Sequence, residues 1–159
     1  MGIMGFWGRL ISRALLPLVL AAAVPSAHAG EPKLLRDRLV GTWTLVSAID
    51  IRKDGSEVDR WGANPKGTFM FTADGRYAQV IVRTDVGVFG ARNAASFGTY
   101  TVNEQDKALF TRVEASSNHY YSGSERKRII LSLTDDEMVY LNSTTSSGNT
   151  VRAVWKRAR

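Results

Sequence analysis

The chain has 159 residues, of which 44% are hydrophobic and 23% charged. This suits one globular domain with a single core and excludes a disordered or fibrous polymer. There are 21 lysines and arginines against 15 acidic residues, a net charge of +6, and no cysteine, so a disulfide framework, a thiolate metal centre and a lipid-modified cysteine are all excluded.

The first 29 residues read as a leader. Arg9 and Arg13 form a positive start with no acidic residue before Glu31, and Ala14–Val24, "ALLPLVLAAAV", is a short apolar run followed by "PSAHA". That layout predicts a secretory signal peptide over 1–29, cleaved after Ala29. The apolar run falls well short of the ~20 residues that span a bilayer, so no membrane span is expected in the mature chain. Removing Arg9 and Arg13 leaves 19 basic residues against 15 acidic, or +4. Export without disulfides fits a bacterial periplasm or the medium.

A lead over 30–38 runs into "KLLRDRL" (Lys33–Leu39), enough for one or two helical turns, and the domain proper is placed at 39–159. From there strand-like runs alternate with turn chemistry. Val40–Arg52 is followed by "KDGS" and then a longer connection, "EVDRWGANPKG", whose Asn-Pro-Lys-Gly suits a tight turn. "TFMFTADGRYAQVIVR" holds two strand runs around Ala73-Asp74-Gly75, and Asp-Gly between apolar runs is a strong hairpin signal. Phe97–Val102 and Ala108–Glu114 flank "NEQDK". Arg128–Leu133 and Met138–Thr144 flank "TDDE", and Thr150–Arg157 closes the chain.

Eight strand runs with near-neighbour links, and no long apolar 3.6-residue period, predict an all-β fold. The specific expectation is an up-and-down antiparallel β-barrel of about eight strands, because closure removes exposed edges. Such a barrel has room inside for side chains or one small ligand. Thr84–Ser96 and Ala115–Glu125 are too long for tight hairpins and are either binding loops or plain connections. The basic clusters Arg126-Lys127-Arg128 and Lys156-Arg157 sit within alternating runs and read as barrel surface, so no nucleic-acid partner is expected.

Read together, these segments resemble the small bacterial lipocalin-like domain family. "LVGTWTLVS" shares the lipocalin Gly-x-Trp, and "NPKGTFMFTADGRYAQVIVR" is similar to the family's second and third strands. "FGTYTVNE", "VEASSNHYYSGSERKR" and the terminal "VWKRAR" resemble its later strands, with Tyr121, Gly123 and Arg128 at matching positions. The chain departs from the pattern at Thr111 and Arg112, where members often have histidine before Val-Glu. It departs again at Asn118 and His119, where a proline is common. The resemblance implies a calycin-type barrel that binds a small molecule. It also implies a structural closure in which Trp43, after Gly41, packs across one barrel end beneath Arg157 of the last strand.

Alternation places Trp43, Leu45, Ser47 and Ile49 on one face, Phe69 with Phe71, Leu109 with Thr111, Ile129 with Leu131 and Leu133, and Val151 with Ala153 and Trp155. These either fill the core or line an apolar cavity. Tyr77, Tyr100, Glu114, Tyr121, Arg128 and Tyr140 are then the cavity candidates for polar contacts. An inward Arg128 needs a carboxylate or an anionic ligand. His119 is the only histidine after the leader, so no zinc site, cofactor or Ser-His-Asp triad is expected, and Asp135-Asp136 reads as a turn.

The leading expectation is an exported barrel that holds a small, apolar or amphipathic molecule. The alternatives are a cofactor-independent isomerase- or cyclase-like enzyme on the same scaffold, or a filled barrel serving an interaction role. The sequence leaves the oligomeric state open.

Overall fold

The computed structural model describes residues 33–62, 64–85, 93–143 and 145–159. The leader expected over 1–29 lies outside the described residues, as does 86–92 of the first long loop.

The chain enters through a short helix, α1 (Leu35–Leu39), which is followed by nine strands among the described residues: β1 (Gly41–Ile51), β2 (Glu57–Asp59), β3 (Lys66–Phe71), β4 (Arg76–Val82), β5 (Asn93–Asn103), β6 (Ala108–Ser116), β7 (Glu125–Leu133), β8 (Glu137–Asn142) and β9 (Thr150–Arg157). Every pairing is antiparallel, and each strand from β3 to β9 pairs with the next. β1 pairs with β3 on one side and with β9 on the other. Eight strands thus form a closed meander, and β2 is an extra strand on the far half of β1, through Ile49–Asp59 to Ile51–Glu57. The segment containing β2 reads as a connection in the sequence because three exposed residues carry no period.

Three bulges decide which side chains point inward. In β1 the register slips between Leu45 and Ser47, so Val46 is the extra residue. The inner face therefore runs Trp43, Leu45, Ala48, while Ser47 and Ile49 are only half-buried. In β7 the slip lies between Ile130 and Ser132. Arg128, Ile130 and Leu133 point inward, and Leu131 is 51% exposed. Period-2 alternation alone would put Ile129, Leu131 and Leu133 together, and the bulge overturns it. The third slip, at Phe97/Gly98, makes Glu114 of β6 the extra residue opposite β5.

The long loops shrink on the same evidence. Asn93–Ser96 belongs to β5, paired with the end of β4. Ala115 and Ser116 belong to β6, and a single 3-10 turn at His119–Tyr121 bridges to β7. The core is an aromatic stack inside the barrel. Phe69 lies 4.2 Å from Phe71, 5.9 Å from Tyr77 and 5.5 Å from Trp155, ring centre to ring centre.

Candidate functional site

The two barrel ends are built differently. At the first, α1 lies across the opening with Leu39 fully buried. The carboxylate of Glu104, in the β5–β6 turn, accepts from the amides of Leu35 and Arg36 at 2.8 and 3.0 Å. This satisfies the amides that a helix start leaves open. The Trp43 indole N–H donates to the Leu39 carbonyl at 2.8 Å. The Arg157 guanidinium lies 4.2 Å from the Trp43 ring centre and donates to the carbonyls of Val40 and Arg38 at 2.9 and 2.7 Å. Such a stack contributes about 0.5–2 kcal/mol. Gly41 has φ +128, and a Cβ there would sit 2.6 Å from Arg157 Nη1. Gly41, Trp43 and Arg157 therefore make one seal.

The opposite end is open. Its cavity, about 170 Å³, is walled by the aromatic faces of Trp61, Tyr140 and Trp155, by the small or aliphatic Ala48, Ile81, Val151 and Ala153, and by the polar Gln79, Asn118, Asn142, Arg126 and Arg128. Trp155 is its floor. Tyr140 stacks toward Trp155 at 6.4 Å with the rings 24° apart.

Of the six candidates for polar contact, three reach this cavity: Tyr121, Arg128 and Tyr140. Arg128 is 3% exposed, and Nη1 donates to the Thr111 hydroxyl at 2.7 Å. Its guanidinium carbon lies 5.5 Å from the Phe69 ring centre and 5.6 Å from that of Tyr140. Tyr121 sits at the rim, its oxygen accepting from the Ser146 amide at 2.6 Å, with the Arg126 guanidinium 3.9 Å from its ring centre. Burial raises the phenol's pKa, but the Ser146 and Arg126 hydrogen bonds and the Arg126 charge outweigh this and hold it below the ordinary tyrosine value. Arg126 is in turn held below the usual arginine range by burial and by the neighbouring Arg128 charge.

The other three lie elsewhere. Glu114 is exposed on the outer face and forms an ion pair with Arg76 at 2.7 Å, because Leu109, Thr111 and Val113 hold the inner positions of β6. It offers no base to the interior. Tyr100 belongs to the sealed half, donating to the Thr72 carbonyl at 2.9 Å, and its pKa is pushed up by burial against the partial offset of Arg36. Tyr77 is buried against Phe69 and does not line the cavity.

Sequence reading missed Trp61, Arg60 and Arg126. Trp61 follows β2 in a stretch that reads as polar connection, where a lone tryptophan is itself a signal. Arg126 shares the two-residue period of Arg128, but as part of the basic run Arg126-Lys127-Arg128 it reads as barrel surface. Arg60 is neutralised by Asp50, with Nη1 at 2.7 and 2.9 Å from its two carboxylate oxygens. Among the described residues no group of three or more His, Asp and Glu is placed to hold a metal ion, and no helix is long and apolar enough to cross a membrane.

No family model and no curated protein matches the chain. Solved structures do. A redesigned β-barrel superposes with a TM-score of 0.50 at 14% identity, over 78% of this chain and 95% of that one. A biogenic amine-binding protein gives 0.45 at 14% identity, over 77% of this chain and 65% of that one. The tryptamine complex of the amine-binding protein of Rhodnius prolixus gives 0.46 at 14% identity, over 76% and 63%. At this identity the likeness is one of fold. The molecule is a closed, eight-stranded antiparallel β-barrel with one additional strand, sealed at one end and hollow at the other.

Proposed function

We propose that this chain is an exported, lipocalin-like binding protein that holds one small, partly apolar molecule in the open end of its barrel. The observation that carries this reading is the asymmetry of the ends. One is filled by Leu39, Trp43 and Arg157, while the other keeps a cavity of about 170 Å³ between aromatic walls and a polar rim. Ligand sites in general combine mostly apolar walls with a few placed polar groups. The volume selects a compact guest, since a dry cavity of about 150 Å³ accommodates benzene. Export is supported by the leader-like pattern of residues 1–29.

The reading is tested with a neutral, compact aromatic. Para-fluorobenzyl alcohol, followed by fluorine NMR, is expected to bind saturably at one molecule per chain. Ala153 is 2% exposed and lines the cavity, so Ala153→Phe fills the space and should abolish the signal while circular dichroism keeps its β signature. Binding that is absent from the parent protein, or that survives in a folded Ala153→Phe protein, overturns the carrier reading.

A further inference from the structure

Arg128 poses an electrostatic problem that no carboxylate among the described residues solves. A guanidinium carries five N–H donors and stays charged at any physiological pH. Here it is 97% removed from solvent, and its hydrogen-bond acceptor among the described residues is one neutral hydroxyl, that of Thr111. Its Nε is buried with no hydrogen-bond partner among the described residues. The ion pairs of the described residues join Arg60 to Asp50, Arg76 to Glu114, Arg83 to Asp85 and Arg152 to Glu57, and none involves Arg128. The faces of Phe69 and Tyr140 offset part of the cost, but a buried charge is ordinarily paired.

The surroundings deepen the imbalance. Arg126 stands two residues along the same inner face of β7, and among the described residues the charged groups lining the cavity are Arg60, Arg126 and Arg128, with no carboxylate. Arg60 is already compensated by Asp50. The floor adds the Trp155 indole N–H, another buried donor with no acceptor among the described residues. Arg128 thus brings a buried positive charge to the cavity, and among the described residues no carboxylate pairs with it.

We infer that the resident ligand is a compact organic anion, an aromatic or short apolar carboxylate, whose head group pairs with Arg128 and Arg126 while its apolar body lies between Trp61, Tyr140 and Trp155. This rests on the carrier reading and specifies its ligand class. A carboxylate supplies the two acceptor oxygens that a guanidinium fork fits, and in a dry site the pair is charge-assisted on both sides. Trp155, on the cavity floor, bounds how deep the apolar end can reach.

The test uses four probes of one shape on the intact protein: para-fluorobenzoate, para-fluorobenzamide, para-fluorobenzyl alcohol and para-fluorobenzylamine, each titrated by fluorine NMR. The benzoate is expected to bind about tenfold or more tighter than the two neutral probes, with the amine weakest, tenfold being the factor that one charge-assisted contact supplies. In Arg128→Met the ratio of benzoate to benzamide affinity should fall to about one, whatever the change in the neutral probes. The same variant separates a ligand group from a structural one, because removing an unpaired buried charge leaves the ligand-free protein as stable or more so. Equal affinity for all four probes overturns the anion inference and leaves the carrier reading standing. Loss of neutral-probe binding by the parent protein overturns both. If Arg128→Met folds with a lowered melting temperature and an intact benzoate preference, Arg128 is a core residue and the inference fails.

Discussion

Tyr121 shows how one residue can tie a loop, a charge and a binding mouth together. Its oxygen accepts from the Ser146 amide while Arg126 lies over its ring, so a side chain from the β6–β7 connection fastens the β8–β9 connection at the rim. Because the folded phenol titrates below the ordinary tyrosine value of 10.0, the fold favours its ionised form. Ionisation therefore adds stability as pH rises through the lowered pKa toward 10.0, and that contribution is lost as pH falls back through the lowered value. Tyrosinate absorbance should show an early step from Tyr121, ahead of the one from Tyr100, which burial makes late. Tyr121→Phe is expected to delete the early step alone, and an unchanged titration in that variant would assign the early phenol elsewhere. At this scale the sequence was legible where a residue's role is fixed by backbone geometry. Gly41, Trp43 and Arg157 are legible through the resemblance to lipocalin-like domains, and the positive φ of Gly41 and the Arg157 stack on Trp43 give that pattern its physical reason. Glu114 was misplaced because an acidic residue in a strand looks the same whichever face it takes. Only the inner run Leu109, Thr111, Val113 settles the matter.

Strand elements were read well wherever alternation ran unbroken and turn chemistry marked the ends, as at β3, β4 and β9. They were misread at the bulges, since a single extra residue swaps every following side chain to the other face. Leu131 is the clearest case: an aliphatic residue on the two-residue period of Ile129 and Leu133, yet half exposed because the chain slips there. The bulge opposite Gly98 left a visible trace, a glycine inside a strand pattern. A Cβ at Gly98 would lie 2.0 Å from the Arg112 carbonyl oxygen, so the two strands approach too closely for any side chain. Gly98→Ala should therefore force β5 and β6 apart and destabilise the fold by about 2 kcal/mol or more, at the severe end for a one-carbon change. Urea unfolding measures it, and a loss below a few tenths would mean the bulge relaxes freely. The short β2 and the true start of β5 had no comparable signal, because both are specified by pairing with distant segments rather than by local composition.

For the whole molecule, closure through the β1–β9 pairing allows one end to carry stability and the other to carry binding. Leu39, Trp43 and Arg157 sit at the sealed end, whereas Arg126, Tyr121 and Trp61 surround the open one. Sites that share no partner contribute additively, so a sealed-end substitution should cost stability and spare affinity. Leu39 is fully buried, and Leu39→Ala removes buried methyls and leaves a void, for an expected loss of about 2–5 kcal/mol. The affinity for para-fluorobenzyl alcohol, measured well below the variant's melting temperature, should stay within about twofold of the parent value, the scatter expected for independent sites. Mass action then requires a given ligand concentration to stabilise both proteins by the same free energy, even though the variant melts lower. A variant that loses affinity in proportion to its stability would show that the seal and the mouth move as one unit. The barrel would then have to be treated as a single cooperative binding element rather than a rigid cup with a working rim.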